Sequence, residues 1–431
     1  DITVNGTGNV NLSQKQFPKD TVIELTAQRS ASGWRFVGWS GDVSGNDSTI
    51  SVTMSVDRNI TATFEKIPVP DNVYCVNSSA EGSRTGTNWA DAFTTIDEAL
   101  EAEENSATVN TVWVAGGEYS PSGSSYSPQS NCIIKGGFSG MEDNLNDAEK
   151  RKWYKNKTIL DGTGKAFLIN LGTNSGISIE GFYFENSYTC AIRSLRSGNT
   201  IKKCIFKNNG RSKAGTSAVL VGAGDSTKIL NCVFVNNKGR GSCINVYTSA
   251  KHTIIGNCIL FKNDGPAIIN STTSTESLTR IINCSIISNK CDTVYAGGIR
   301  NNGNMILENS IVYFNESINP EEGTQISSTN YTNYCNIQDT ANGAGIGQKE
   351  ESGFKATNIS DDPDFVSMNQ PDDDTVWFDS TSNTHALVPG VLSTSKSNFG
   401  LSESSEPSKY VVFDIRGKFR LIPYFMGAYN R

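Results

Sequence analysis

From about residue 150 the chain repeats itself at intervals close to 26 residues, and no other feature restricts its fold as much. The repeated segments are Gly181-Phe182-Tyr183-Phe184, Lys203-Cys204-Ile205-Phe206, Asn231-Cys232-Val233-Phe234, Asn257-Cys258-Ile259-Leu260, Asn283-Cys284-Ser285-Ile286 and Asn309-Ser310-Ile311-Val312. Counted at the second residue of each, the steps are 22, 28, 26, 26 and 26, and Tyr334-Cys335-Asn336-Ile337 follows after 25 more. Five residues beyond the anchors stand Asn209, Asn237, Asn263, Asn289 and Asn315. A second ladder runs through Cys190-Ala191-Ile192, Ser217-Ala218-Val219, Ser242-Cys243-Ile244, Pro266-Ala267-Ile268 and Gly297-Gly298-Ile299. Two or three short strands per repeat, with no helical period between them, predict a solenoid of parallel strands. Each coil rises by one strand spacing, roughly 4.8 Å, so equivalent residues stack. The asparagines are then expected to form an amide ladder at one corner, and the cysteines a buried column of small apolar groups.

Ten cysteines are present, but none forms a CxxC pair and only two histidines accompany them. Stacked thiols on one face do not make a tetrahedral cage, so a metal centre is not expected. Disulfides between adjacent rungs would strain the bond geometry.

At 431 residues the chain has room for two or three domains. Residues 1–66 alternate with a two-residue period through Val22, Ile23 and Leu25, through Ile50, Val52 and Met54, and through Ile60, Ala62 and Phe64. Gly33-Trp34-Arg35-Phe36-Val37-Gly38-Trp39-Ser40-Gly41-Asp42 lies between them, and Val52–Phe64 closes the module. This stretch resembles the hallmark of bacterial surface repeats of the Listeria–Bacteroides (InlB B-type) kind. The resemblance implies a spacer or adhesive module of an exported protein. Trp34 and Trp39 have two readings: a platform on which a sugar stacks, or the core of a module too small to spare them. Residues 67–71, Ile67-Pro68-Val69-Pro70-Asp71, read as a short proline linker.

The solenoid is expected to occupy residues 72–431. A helix over about 94–104, with a threonine cap, acidic first-turn residues and apolar i, i+3, i+4 spacing, would plug its first coil. The segments Gly86–Phe93, Trp113–Tyr119, Lys135–Gly140 and Thr158–Gly162 resemble exported right-handed parallel β-helix proteins of Bacteroidetes. Those proteins often carry a choice-of-anchor C-terminal region and are similar to polymorphic outer-membrane proteins and polysaccharide lyases. The tail, about 361–431, agrees, although Phe425 and Asn430 stand where that family usually has acids. The fold class expected is all-β, a right-handed single-stranded parallel β-helix of about ten coils behind a small all-β repeat module.

Chemistry on such a solenoid needs charged side chains converging on one lateral face. Stacking gathers Arg211, Lys213, Lys238, Arg240, Asp264, Lys290 and Asp292 just past the asparagine corners. This is the candidate glycan-binding face; the other reading is ordinary solvated charge. No catalytic residue is assigned. Glu180, Asp225 and Glu308 stand isolated, and His252 and His385 enter no Ser–His–Asp pattern. Acid clusters at Asp361, Asp362 and Asp364 and at Asp372, Asp373 and Asp374 lack a glycine-spaced calcium loop.

With 37 basic against 44 acidic residues the net charge is −7, which argues against nucleic acid. No apolar run is long enough to cross a membrane. The start, Asp1-Ile2-Thr3-Val4, reads as a strand without a leader, so any signal peptide is expected to have been removed or to lie upstream. The chain is expected to be an exported, monomeric cell-surface protein that binds a polysaccharide or host-surface glycan and needs no cofactor. The alternative is a polysaccharide lyase or glycoside hydrolase acting on an acidic polysaccharide, with Ca²⁺ possible for a lyase.

Overall fold

A computed structural model describes residues 1–338, leaving out residues 13, 15, 211–216, 223, 239–240, 293–295, 319–324, 328–330 and 334. The tail at 361–431, with both acid clusters and His385, lies outside the described residues. The chain divides into two compact units, residues 1–117 with 136–152, and residues 118–135 with 153 onward.

The first unit opens with β1 (Ile2–Asn5), β2 (Gly8–Asn11), β3 (Thr21–Arg29), β4 (Trp34–Gly41), β5 (Thr49–Met54) and β6 (Ile60–Lys66). They form two three-stranded sheets, ordered β1-β6-β4 and β2-β3-β5. Every pairing is antiparallel except that of β1 with β6. Alternation puts Leu25, Ala27, Val52, Ile60, Ala62 and Phe64 into a core closed by Trp39, which is 4% exposed. Burying a side chain of that size stabilises by roughly 2–3 kcal/mol, so a module this small cannot do without it. The Trp39 indole N–H donates to the Asp47 carbonyl at 2.8 Å.

Further along this unit, β7 (Val73–Val76) pairs in parallel with β8 (Thr111–Ala115). Between them α1 (Ile96–Glu104) starts at a full capping box: the Thr95 hydroxyl accepts from the Glu98 N–H, and the Glu98 carboxylate accepts from the Thr95 N–H. Its buried face, Ile96, Ala99 and Leu100, packs on β7 and β8. Trp89, Trp113 and Phe138 form a buried aromatic cluster, the last two stacked at 4.8 Å. A short helix, α2 (Leu145–Lys150), was not visible in the residue pattern; Asn144 caps it.

Asp91 ties the two parts of this unit. Its carboxylate accepts from Lys66 Nζ at 2.6 Å, from Asn88 Nδ2 at 2.9 Å, and from the Ser83 N–H and hydroxyl at 3.1 and 3.0 Å. Burial alone would raise this carboxyl; the hydrogen bonds from Lys66, Asn88 and Ser83 outweigh it and hold the group well below the usual carboxylate range. A group with a depressed folded value contributes stability above its unfolded pKa, about 3.9, and loses it as pH falls through the folded one. Asp91→Asn is therefore expected to lower stability at neutral pH and to flatten the acid limb below about pH 4. Thermal unfolding from neutral to strongly acid pH checks this; parallel curves for the two proteins would refute it.

The second unit is a parallel β-solenoid, and the described residues hold about eight turns of the fold. Three strand columns recur per coil. The first runs through Ser178–Glu180, Thr200–Lys202, Thr227–Leu230, His252–Gly256, Leu278–Ile282 and Met305–Glu308. The second runs through Thr158–Asp161, Tyr183–Glu185, Ile205–Lys207, Val233–Val235, Ile259–Phe261, Ser285–Ile287 and Ile311–Tyr313. The third runs through Phe167–Gly172, Cys190–Ser194, Ser217–Val221, Ser242–Val246, Ile268–Asn270 and Ile299–Asn301.

Register keeps like on like. Phe184, Phe206, Phe234, Leu260, Ile286 and Val312 are successive partners. The three phenylalanine rings stack at 4.8 and 4.6 Å with interplanar angles of 7° and 4°. The turn between the first and second columns explains the recurring Asn-Cys. Asn231, Asn257 and Asn283 take φ values of 55, 53 and 56°, a region asparagine tolerates better than most residues, and the following cysteine then points inward. Cys204, Cys232, Cys258 and Cys284 are fully buried, and each thiol reaches a carbonyl two residues back at 3.2–3.4 Å. All ten cysteines are buried thiols outside any disulfide, and burial pushes the Cys190 thiol up to about 12.

Candidate functional site

Between the second and third columns the chain turns a corner where three successive residues play different parts. The middle one points inward: Ser187, Asn209, Asn237, Asn263, Asn289 and Asn315 are all buried. Asn263 Oδ1 accepts from both the N–H and the Nδ2 of Asn237, at 2.9 and 3.0 Å, and Asn263 Nδ2 donates to Asn289 Oδ1 at 2.7 Å and to the Phe234 carbonyl at 3.1 Å. The same pattern joins Asn209 to Asn237 and Asn289 to Asn315. Ser187 begins the ladder, and Gln325 Oε1 receives its last two donors.

The residue before each ladder position sits in the left-handed region: Asn186, Asn208, Asn236, Lys262, Ser288 and Phe314, with φ from 50 to 62°. The residue after it is exposed in five of the six coils, Tyr188, Lys238, Asp264, Lys290 and Glu316, and is the buried Gly210 in the coil between Tyr188 and Lys238. Lateral bonds hold this outer row in register, the N–H groups of Gly210, Lys238, Asp264, Lys290 and Glu316 donating to the carbonyls of Ser187, Asn209, Asn237, Asn263 and Asn289 at 2.7–2.9 Å. The row spans five rung steps, about 24 Å at roughly 4.8 Å each.

Of the candidate residues, Lys238, Asp264 and Lys290 therefore fall in one exposed row, and Asp292 is exposed two positions beyond Lys290. Asp264 and Lys290 are bridge partners on adjacent coils. Arg211, Lys213 and Arg240 lie outside the described residues. Glu316, absent from the candidates, completes the row and pairs with Lys290 at 3.3 Å. Over the described residues the row alternates in sign, Lys238, Asp264, Lys290, Glu316, so each cation has an acid one coil away. Both members of the Lys290–Glu316 pair are about two-thirds exposed, so the pair orients side chains more than it stabilises the fold.

Beside this pair Lys262, Ser288, Lys290, Phe314 and Glu316 line an open cleft of about 500 Å³. At the other end of the row stands Tyr188, 55% exposed. Tyr188, Lys262, Phe314 and Glu316 are not among the candidate residues, which are the charged positions just past the corners from Arg211 to Asp292. Counting one place either side of each ladder position, Ser187 included, finds them.

The isolated acids each have a basic side chain as partner. Glu180 is fully buried between Lys202 and Lys203, both at 3.1 Å. Glu308 meets Arg280 at 2.9 Å, and Asp225 meets His252 Nδ1 at 2.6 Å. The hydrogen bond from His252 lowers the Asp225 carboxyl. Ser226 donates to that same Asp225 oxygen rather than to the imidazole, so the three do not stand in nucleophile–base–acid order. Among the described residues no three His, Cys, Asp or Glu side chains come together as a metal-holding group. Among the described residues no helix is long and apolar enough to cross a membrane.

Residues 1–68 match the family model of the divergent InlB B-repeat domain. No curated protein matches the chain. Among solved structures it is similar to a pectin methylesterase from Aspergillus niger, with a TM-score of 0.42 at 16% identity over 68% of this chain and 93% of that one. A more fully deglycosylated form of the same esterase gives 0.41 at 17% identity, over 68% and 92%. The catalytic domain of a GH87 α-1,3-glucanase, solved with tetrasaccharides, gives 0.26 at 12% identity, over 74% and 76%. At these scores the likenesses carry no argument about activity.

Proposed function

We propose that this is an exported cell-surface protein that binds a glycan along the outer row of the ladder corner, without chemistry. The exported Bacteroidetes β-helix proteins are the family we infer for residues 72–431, and the repeat module supports surface display. The observation that carries the binding reading is the row itself, from Tyr188 to Glu316. It is held in register by backbone bonds and repeats at one strand spacing, roughly 4.8 Å, comparable to that of sugars in a polymer. Alternating Lys and carboxylate side chains offer hydroxyl groups both donors and acceptors, and Tyr188 offers a ring face. The pairing of Glu180, Asp225 and Glu308 with lysine, histidine and arginine side chains favours binding over hydrolysis, which needs two carboxylates facing one bond.

The test incubates the protein with acidic and neutral polysaccharides, following retention, absorbance of new unsaturated ends and reducing-sugar release together. Retention without product is expected, with Tyr188→Ala weakening it about tenfold, a loss of roughly 1.4 kcal/mol. Product from any substrate would sink the non-catalytic reading, and absence of retention on all of them would sink binding.

A further inference from the structure

A second hollow, of about 430 Å³, lies wholly within the first unit. Its lining includes Trp34, Lys66 and Asp91, with Thr7, Ser32 and Ser79. We propose that it binds a single neutral or amino pyranose residue, stacked on the Trp34 indole. This is a site separate from the ladder corner.

The two tryptophans that look alike in the sequence have parted company. The pairing of β4 with β6 slips between Phe36 and Gly38, so that Trp34, Phe36 and Trp39 face Lys66, Phe64 and Ala62 respectively, all on one side. Trp39 lies over the core and its N–H is already used. Trp34, at the end of the same face, packs against the edge of the core, half-buried and lining the hollow.

Its cross-strand partner Lys66 places the ammonium 5.8 Å from the ring centroid. That ammonium is anchored by Asp91, which is 6% exposed and fixed in turn by Ser83 and Asn88. A half-buried indole thus lies under one ammonium donor whose position is set before any ligand arrives, with small hydroxyl side chains around them. A pyranose presents the complement, an apolar C–H face edged by hydroxyl groups. The volume falls in the lower part of the range for ligand pockets, about 300–1,000 Å³. Lys66 is neutralised by Asp91, and Glu81 in the lining adds a negative charge, so a uronate is disfavoured.

The full chain is titrated with methyl glycosides of a neutral hexose, a hexosamine and a hexuronic acid. Tryptophan fluorescence and saturation-transfer NMR are followed. Saturable binding of the first two is expected, with the uronide about tenfold weaker. Trp34→Ala is expected to weaken binding by at least about tenfold. Ser79→Trp, at an exposed position, fills the hollow and should abolish binding with an unchanged melting curve, which settles the matter should the Trp34 variant fail to fold. Tyr188→Ala should leave these affinities unchanged, separating this site from the ladder corner. No saturable binding by any glycoside, or binding undiminished in Ser79→Trp, overturns the proposal.

Discussion

Asn263→Leu is expected to lower the unfolding free energy by about 4 kcal/mol, because leucine leaves two buried donors without an acceptor. Asn263 Oδ1 receives both the backbone N–H and the Nδ2 of Asn237, and Asn263 Nδ2 serves Asn289 and the Phe234 carbonyl. Leucine keeps the branched heavy-atom outline, though with larger methyl ends, and loses all four bonds, and each orphaned donor costs roughly 1–3 kcal/mol. Asn315→Leu should cost less, since Gln325 Nε2 and Oε1 are close enough to re-form part of the end. Urea denaturation of the two variants checks this. Equal losses, or a loss under about 1 kcal/mol at Asn263, would show that the ladder decorates the corner rather than holding it.

Phe206→Ala is expected to cost about as much by a different route, roughly 4 kcal/mol of lost transfer energy and cavity. Phe206 is covered on both faces, by Phe184 and Phe234, so neither neighbour can close the gap without leaving its own rung. Phe206→Leu should cost only about 1.5 kcal/mol, as for volume-conserving swaps in general. Leucine already occupies this column one coil beyond Phe234, at Leu260. Calorimetric melting separates the outcomes. A leucine variant as damaged as the alanine one would mean that ring stacking, not filled volume, sets the cost.

The repeat announced the solenoid because each rung must present the same residue type at the same place. Asn-Cys marks a left-handed turn followed by an inward thiol, and the ladder asparagines satisfy buried donors that no apolar side chain can. These positions are under strong physical constraint and therefore legible. The outer row is not, since solvent accepts tyrosine, lysine, aspartate and glutamate alike at Tyr188, Lys238, Asp264 and Glu316. Phe314 follows Tyr313 and looks like core by pattern, until its φ of 56° takes it out of the strand. Trp34 and Trp39 were indistinguishable for a similar reason. Five residues apart, they should fall on opposite faces of a regular strand, and only the slip after Phe36 puts them on one.

The ladder has a sense as well as a length. Every amide in it turns its nitrogen toward the coil that follows and its oxygen toward the coil before, from Asn209 through Asn315. The side-chain dipoles therefore add along the axis as peptide dipoles do in a helix, each bond polarising the next. The two ends become chemically different: Ser187 gives protons to the first oxygen, and Gln325 offers an oxygen to the last nitrogen. A coil turned over within such a stack would set donor against donor and acceptor against acceptor, so the corner admits growth in one orientation alone.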